Sequence, residues 1–191
     1  MSTASDTTAT YPTTVKSGRG SRHGVVSEVS AFLRVCPGEV DKLRAAIGRF
    51  QAGLRNAPSE YMVKFGLVDM RHVIFDGGTR LCWITAFDTG WDPYIDDSVT
   101  TLGIDTWIDW AQHTIEFDPE LMTSTAGVKK WIQSAQIPAD GFFRAIPNLT
   151  LGEVKKDERL RAAFEKVRDE PGALEALQQP VLKPLLDEAA A

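Results

Sequence analysis

The sequence predicts an α+β fold organised round one antiparallel sheet. Three observations predict it: period-two alternation of apolar residues over Val25 to Val35, two β-rich runs joined by Asp76-Gly77-Gly78, and helical spacing of apolar residues in the intervening segments. At 191 residues, 43% hydrophobic and 25% charged, the chain has the balance of one globular domain with extensions. A chain of this length buries about 70% of the surface its unfolded form exposes, enough for one good core.

In the first strand Val29, Ala31, Leu33 and Val35 alternate with Glu28, Ser30, Phe32 and Arg34, giving one oily face and one mixed face. Cys36-Pro37-Gly38 breaks it. Val40, Leu43, Ile47, Phe50 and Leu54 then recur at helical spacing, predicting an amphipathic helix from Glu39 to Leu54 that ends at Asn56 to Pro58. Leu67 to Phe75 and Arg80 to Phe87 form a hairpin across the glycine turn. Asp92 is placed to cap the next helix with Pro93 at its first position, and that helix runs to Leu102 and stops at Gly103.

Two short helices follow, marked by Ile104, Trp107, Ile108 and Ala111, and by Val128, Trp131, Ile132 and Ala135. Phe142 to Ile146 is the last predicted strand. Leu149, Val154, Leu160, Phe164 and Val167 suggest amphipathic helix beyond Pro147, broken at Pro171-Gly172 and irregular at Pro180 and Pro184. The expected organisation is a flexible tail over residues 1–24, a domain over 25–149 and a helical extension over 150–191. The order strand, helix, hairpin, helices, strand is the split βαβ arrangement of ferredoxin-like folds, βαββαβ, with extra helices before the last strand and at the C-terminus. Helices on one face leave the other to be covered by a second subunit, the C-terminal helices or a ligand.

A formal charge of −5 and a pI near 5.2, with Lys and Arg scattered among carboxylates, argue against nucleic acid and anionic membrane as partners. No apolar run reaches the roughly 18 residues that span a bilayer, and the N-terminus has no apolar signal core. Cys36 and Cys82, without CxxC spacing, read as reduced thiols of a cytoplasmic protein. Nucleotide loops, a G-x-S-x-G nucleophile setting and zinc spacing are all missing, so no cofactor is expected.

The segments Met70-Arg71-His72-Val73-Ile74-Phe75-Asp76, Trp83-Ile84-Thr85-Ala86-Phe87-Asp88 and Trp91-Asp92-Pro93-Tyr94-Ile95-Asp96-Asp97 resemble the central part of bacterial proteins in the dimeric α+β-barrel superfamily. The likeness follows element order from Val25 to Leu149 and is specific between Met70 and Val99. It implies a homodimer and a small-molecule pocket between sheet and helices. The superfamily includes cofactor-independent monooxygenases, aromatic polyketide cyclases and muconolactone isomerases, and more distantly haem-binding chlorite dismutases and dye-decolourising peroxidases. Its members share no catalytic motif, so the resemblance transfers no site residues.

The residues themselves nominate candidates. His72 sits mid-strand on one face with Val68, Met70 and Ile74, expected on the helix-free side of the sheet, where it serves as a general base or is a core histidine satisfied by a neighbour. Arg71 and Asp69 point the other way and read as a cross-strand ion pair. Tyr94 or Tyr61 offers a hydroxyl, with Tyr94 the second catalytic candidate, while Trp83, Met70, Trp91 and Phe87 are the expected substrate contacts. Asp105, Asp109 and His113, spaced i, i+4, i+8, either hold a metal or haem or line a solvated helix face, and the reading adopted is no metal. Asp88, Asp92, Asp96 and Asp97 are explained by the helix dipole or by paired acid and base carboxylates. The function expected is proton transfer (cyclase or isomerase) or cofactor-independent oxygenation of an apolar, aromatic or polyketide-like molecule. The alternative is a ligand-binding, oligomer-assembly or haem/metal-binding protein.

Overall fold

A computed structural model describes residues 20–189. Its elements are β1 (Arg22–His23), β2 (Val26–Arg34), α1 (Val40–Asn56), α2 (Ser59–Phe65), β3 (Leu67–Phe75), β4 (Arg80–Phe87), α3 (Trp91–Leu102), α4 (Ile104–Ala111), α5 (Thr125–Ala135), β5 (Gln136–Ile137), α6 (Leu151–Arg168), α7 (Ala173–Leu177) and α8 (Lys183–Ala189). Two compact units divide after Leu151. The expected tail lies outside the described residues as far as residue 19, and within it Arg22–His23 is a strand paired with β2.

The first unit is α+β with one five-stranded antiparallel sheet. Strand order is β1-β2-β4-β3, and β5 also pairs with β2, through Ser30↔Ile137 and Ala31↔Gln136. The hairpin turn places Asp76, Gly77 and Gly78 at φ of +53°, +63° and +92°, a left-handed run that Asp and Gly tolerate best. Register aligns Ala31, Trp83 and His72 across three strands. With side chains alternating, Ala31, Leu33, Leu81, Trp83 and Phe87 face the helices, and the rows Glu28-Ala86-Asp69, Ser30-Ile84-Arg71, Phe32-Cys82-Val73 and Arg34-Arg80-Phe75 face away.

Helix-side packing is dominated by aromatic rings. Trp83, Trp107, Trp110 and Trp131 are each at most 1% exposed and form one cluster, with ring centroids 5.4 Å apart for Trp83 with Trp107 and for Trp110 with Trp131. Their indole nitrogens have no hydrogen-bond partner, so this part of the core is held by burial and by edge-to-face and tilted ring contacts. Gly127 lets α5 sit against the turn before it, because a Cβ there would stand 1.6 Å from the Leu121 carbonyl oxygen. Ser124 caps α5, its Oγ accepting from the Gly127 N–H at 3.2 Å.

Two sequence expectations are corrected. Phe142 to Ile146 is irregular, and the last strand is the two-residue β5 immediately after α5. Pro138 and Pro147 bracket that run, Phe143 and Ile146 are 76% and 59% exposed, and its tethers are single bonds rather than a ladder. Arg144 N–H donates to His23 Nδ1 at 3.0 Å, and Val25 N–H to Pro147 O at 2.8 Å. Asp92 is not the cap of α3, which begins at Trp91 after an extended Gly90, and its carboxylate instead takes Lys129 Nζ at 2.9 Å.

The second unit is helical. Leu160, Phe164 and Leu185 line a groove of about 340 Å³ between α6 and α8. Among the described residues no helix is long and apolar enough to cross a membrane.

Candidate functional site

His72 lies on the helix-covered face of the sheet, not on the helix-free side expected from the sequence. A register shift between Leu67 and Asp69 makes Val68 the extra residue, so of the three expected neighbours Met70 and Ile74 share the His72 face and Val68 does not. The imidazole packs 5.1 Å from the Trp110 ring and 5.6 Å from Phe50, edge-on to both. Its Nδ1 is 3.2 Å from Gln51 Nε2. In this orientation the amide nitrogen can only donate, so Nδ1 accepts and Nε2 carries the hydrogen. Nε2 is buried without a partner, and burial pulls the imidazole from 6.5 to about 4, leaving a neutral ring at pH 7.

Tyr94 is fully buried, its ring stacked on Phe87 at 4.2 Å. Thr85 Oγ sits 2.8 Å from the Tyr94 hydroxyl and donates its one hydrogen to Asp69 O at 3.1 Å, so Tyr94 is the donor to Thr85. Burial pushes the phenol far above its ordinary range. Among the described residues no hydrogen bond or ring contact joins His72 to Tyr94. Trp83 and Phe87 are core, Met70 packs against that core, and Trp91 donates Nε1–H to Gln136 Oε1 at 3.2 Å near the β5 edge. The expected site residues thus fall in one aromatic interior without converging on a shared point. Tyr61 is 41% exposed on α2.

Asp105, Asp109 and His113 do not form a ligand set. Helix α4 ends at Ala111, so His113 leaves the helical face, and its Nδ1 meets Glu39 Oε2 at 2.7 Å. Asp109 is held by Arg49 in a bidentate pair with both distances 2.8 Å, which lowers its carboxyl below the usual range. No group of three or more His, Cys, Asp or Glu among the described residues is arranged to hold a metal ion. The acidic run is likewise dispersed: Lys129 binds Asp92 and Asp96, Lys64 approaches Asp97 at 3.6 Å, and Asp88 accepts from the Leu151 N–H.

The helix-free face carries chemistry that the sequence did not single out. Glu28, 3% exposed, has a carboxylate fixed by three donors: Ser21 N–H at 2.9 Å and Ala139 N–H at 3.4 Å on Oε1, and Ser30 Oγ–H at 2.7 Å on Oε2. The strip Ala139 to Phe142 passes over this end of the sheet and closes a cleft of about 210 Å³. Ile84, Ala86 and Phe142 supply apolar wall, and Asp69 with Arg71 supplies charge. These two pair along β3 at 3.5 Å rather than across strands. The sequence signal was the polar Glu28 and Ser30 on the mixed face of the first strand. The strip that buries Glu28 is 111 residues away in the chain, and nothing local announces it. Compared with protein-family models, with curated proteins and with solved structures, the chain matches none.

Proposed function

We propose that the protein is a proton-transfer enzyme of the cyclase or isomerase kind, acting on a small, largely apolar and aromatic molecule in the sheet-face cleft, with Glu28 as the base. One observation carries this reading. A buried carboxylate, locked by three donors, lines a cleft of about 210 Å³ with a guanidinium in the next cross-strand row. Fixed orientation and low water access are what a general base needs. Glu28 removes a proton from carbon beside a carbonyl, and Arg71, whose five donors exceed what Asp69 takes up, stabilises the negative charge that develops on the carbonyl oxygen. Ile84, Ala86 and Phe142 hold the apolar body.

The test is hydrogen exchange at the α-carbon of 2-tetralone in D₂O, followed by ¹H NMR. The expected result is exchange above the buffer rate, falling at least about 100-fold with Glu28→Gln, which keeps the side-chain shape but not the basicity. Exchange no faster than buffer, or an unaffected Glu28→Gln protein, would remove the proposal.

We assign the fold to the ferredoxin-like βαββαβ class. Support comes from the order β5-β2-β4-β3 with every neighbour antiparallel. The dimer implied by the dimeric α+β-barrel resemblance is supported by the apolar row Phe32, Cys82 and Val73 across the middle of the helix-free face. A two-fold axis parallel to that face and running along the row sets it against its own copy. Val73, 45% exposed, is the probe. Sedimentation should show a dimer for the natural chain and a monomer for Val73→Lys, and a monomeric natural chain ends the assignment.

A further inference from the structure

At the opposite end of the sheet from Glu28, the chain leaves β2 through Val35, Cys36, Pro37 and Gly38 and enters α1 at Val40, beside the Gly77-Gly78-Thr79 turn and Ile115. These segments enclose an open cleft of about 540 Å³, within the 300–1,000 Å³ typical of small-molecule pockets. Val35, Pro37, Val40 and Ile115 give it apolar walls. Gly77 and Gly78 contribute backbone only, so no side chain projects into the cleft from that wall.

The polar groups round the cleft are already committed. Arg34 Nε donates to Glu116 Oε1 at 2.7 Å while the Arg34 backbone N–H donates to Glu116 Oε2 at 2.8 Å. Arg80 lies 5.3 Å over the Phe75 ring and 3.8 Å from an Asp76 oxygen. Thr79 Oγ donates to Asp76 O at 2.8 Å. Burial, with the carboxylates of Glu39 and Glu116 beside it, raises the Cys36 thiol above its ordinary range, so it reacts slowly with electrophiles without being inert. An anion would meet guanidinium groups whose charge is balanced and a thiol already under the influence of two carboxylates. Affinity must come from apolar contact and from stacking on planar groups at the rim.

We propose that the cleft where β2 runs into α1 is a binding site for a neutral, flat, apolar ring compound, separate from the proton-transfer cleft around Glu28. Cys36 lines it, and Cys82, 7% exposed in the sheet, serves as the internal control.

The experiment uses the full chain and the neutral aromatic dye N-phenyl-1-naphthylamine. Dye fluorescence should rise saturably at micromolar concentration, and alkylation of Cys36 by iodoacetamide, read by peptide mass spectrometry, should slow at least threefold in saturating dye. Ile115→Trp, a change at a half-exposed wall position, should weaken dye binding at least tenfold, and Ile115→Lys should do the same if the Trp protein fails to fold. Glu28→Gln should leave both readouts unchanged, which separates failure of this site from failure of the proton-transfer reading. No dye binding up to 100 µM, or binding that leaves Cys36 alkylation unslowed, overturns the proposal.

Discussion

Replacing Trp110 by Ala is expected to lower unfolding free energy by about 3–5 kcal/mol. Trp110 is completely buried and touches His72, Phe50, Trp83, Trp107 and Trp131. It therefore joins α1, α4, α5 and the sheet at one point. Its indole nitrogen has no hydrogen-bond partner, so truncation orphans no acceptor and the loss is one of apolar area and packing. Urea unfolding of Trp110→Ala against the natural chain checks it. A change below about 1 kcal/mol would mean that the ring cluster does not hold the core together.

The second large effect is on pH dependence. His72 is the one group whose imidazole is pulled down to about 4, and burial is the cause. In the unfolded chain it titrates near 6.5, so below that pH the unfolded state binds a proton that the folded state refuses. Stability is full above 6.5 and falls as pH drops from 6.5 to about 4. The 6.5-to-4 gap amounts to about 3 kcal/mol. Comparing the natural chain with His72→Phe between pH 7.5 and 4 isolates this contribution. The lowered carboxyls Glu39 and Asp109 are present in both proteins and cancel. Parallel stability curves for the two would refute the burial of the ring.

Much of the fold was legible because it is local. Period-two alternation and Asp76-Gly77-Gly78 place the hairpin at its observed ends, and Gly103 separates α3 from α4 at φ +82°. What failed depends on distant chain. Two residues of β5 carry no periodicity, so the aromatic Phe142-Phe143 drew the last strand to the wrong place. Alternation grouped Met70, His72 and Ile74, but which face receives helices is decided by α1 and α4, and the extra residue at Val68 leaves no mark in hydropathy. Asp109 and His113 looked like ligands only because their partners, Arg49 and Glu39, lie on another helix or at its start. Glu28 reads as a solvent-facing carboxylate until the strip over it is in view.

The two margins of the sheet are finished differently. On the β2 side, β1 and β5 occupy separate stretches of backbone and leave no long unpaired row. On the β3 side a nine-residue strand pairs with β4 alone among the described residues, but its run is kinked at Val68 and carries Asp69 and Arg71 near that kink. A further strand at the β2 margin would have to displace β1 or β5, and at the β3 margin it would meet the irregularity at Val68, two features that blunt a sheet edge.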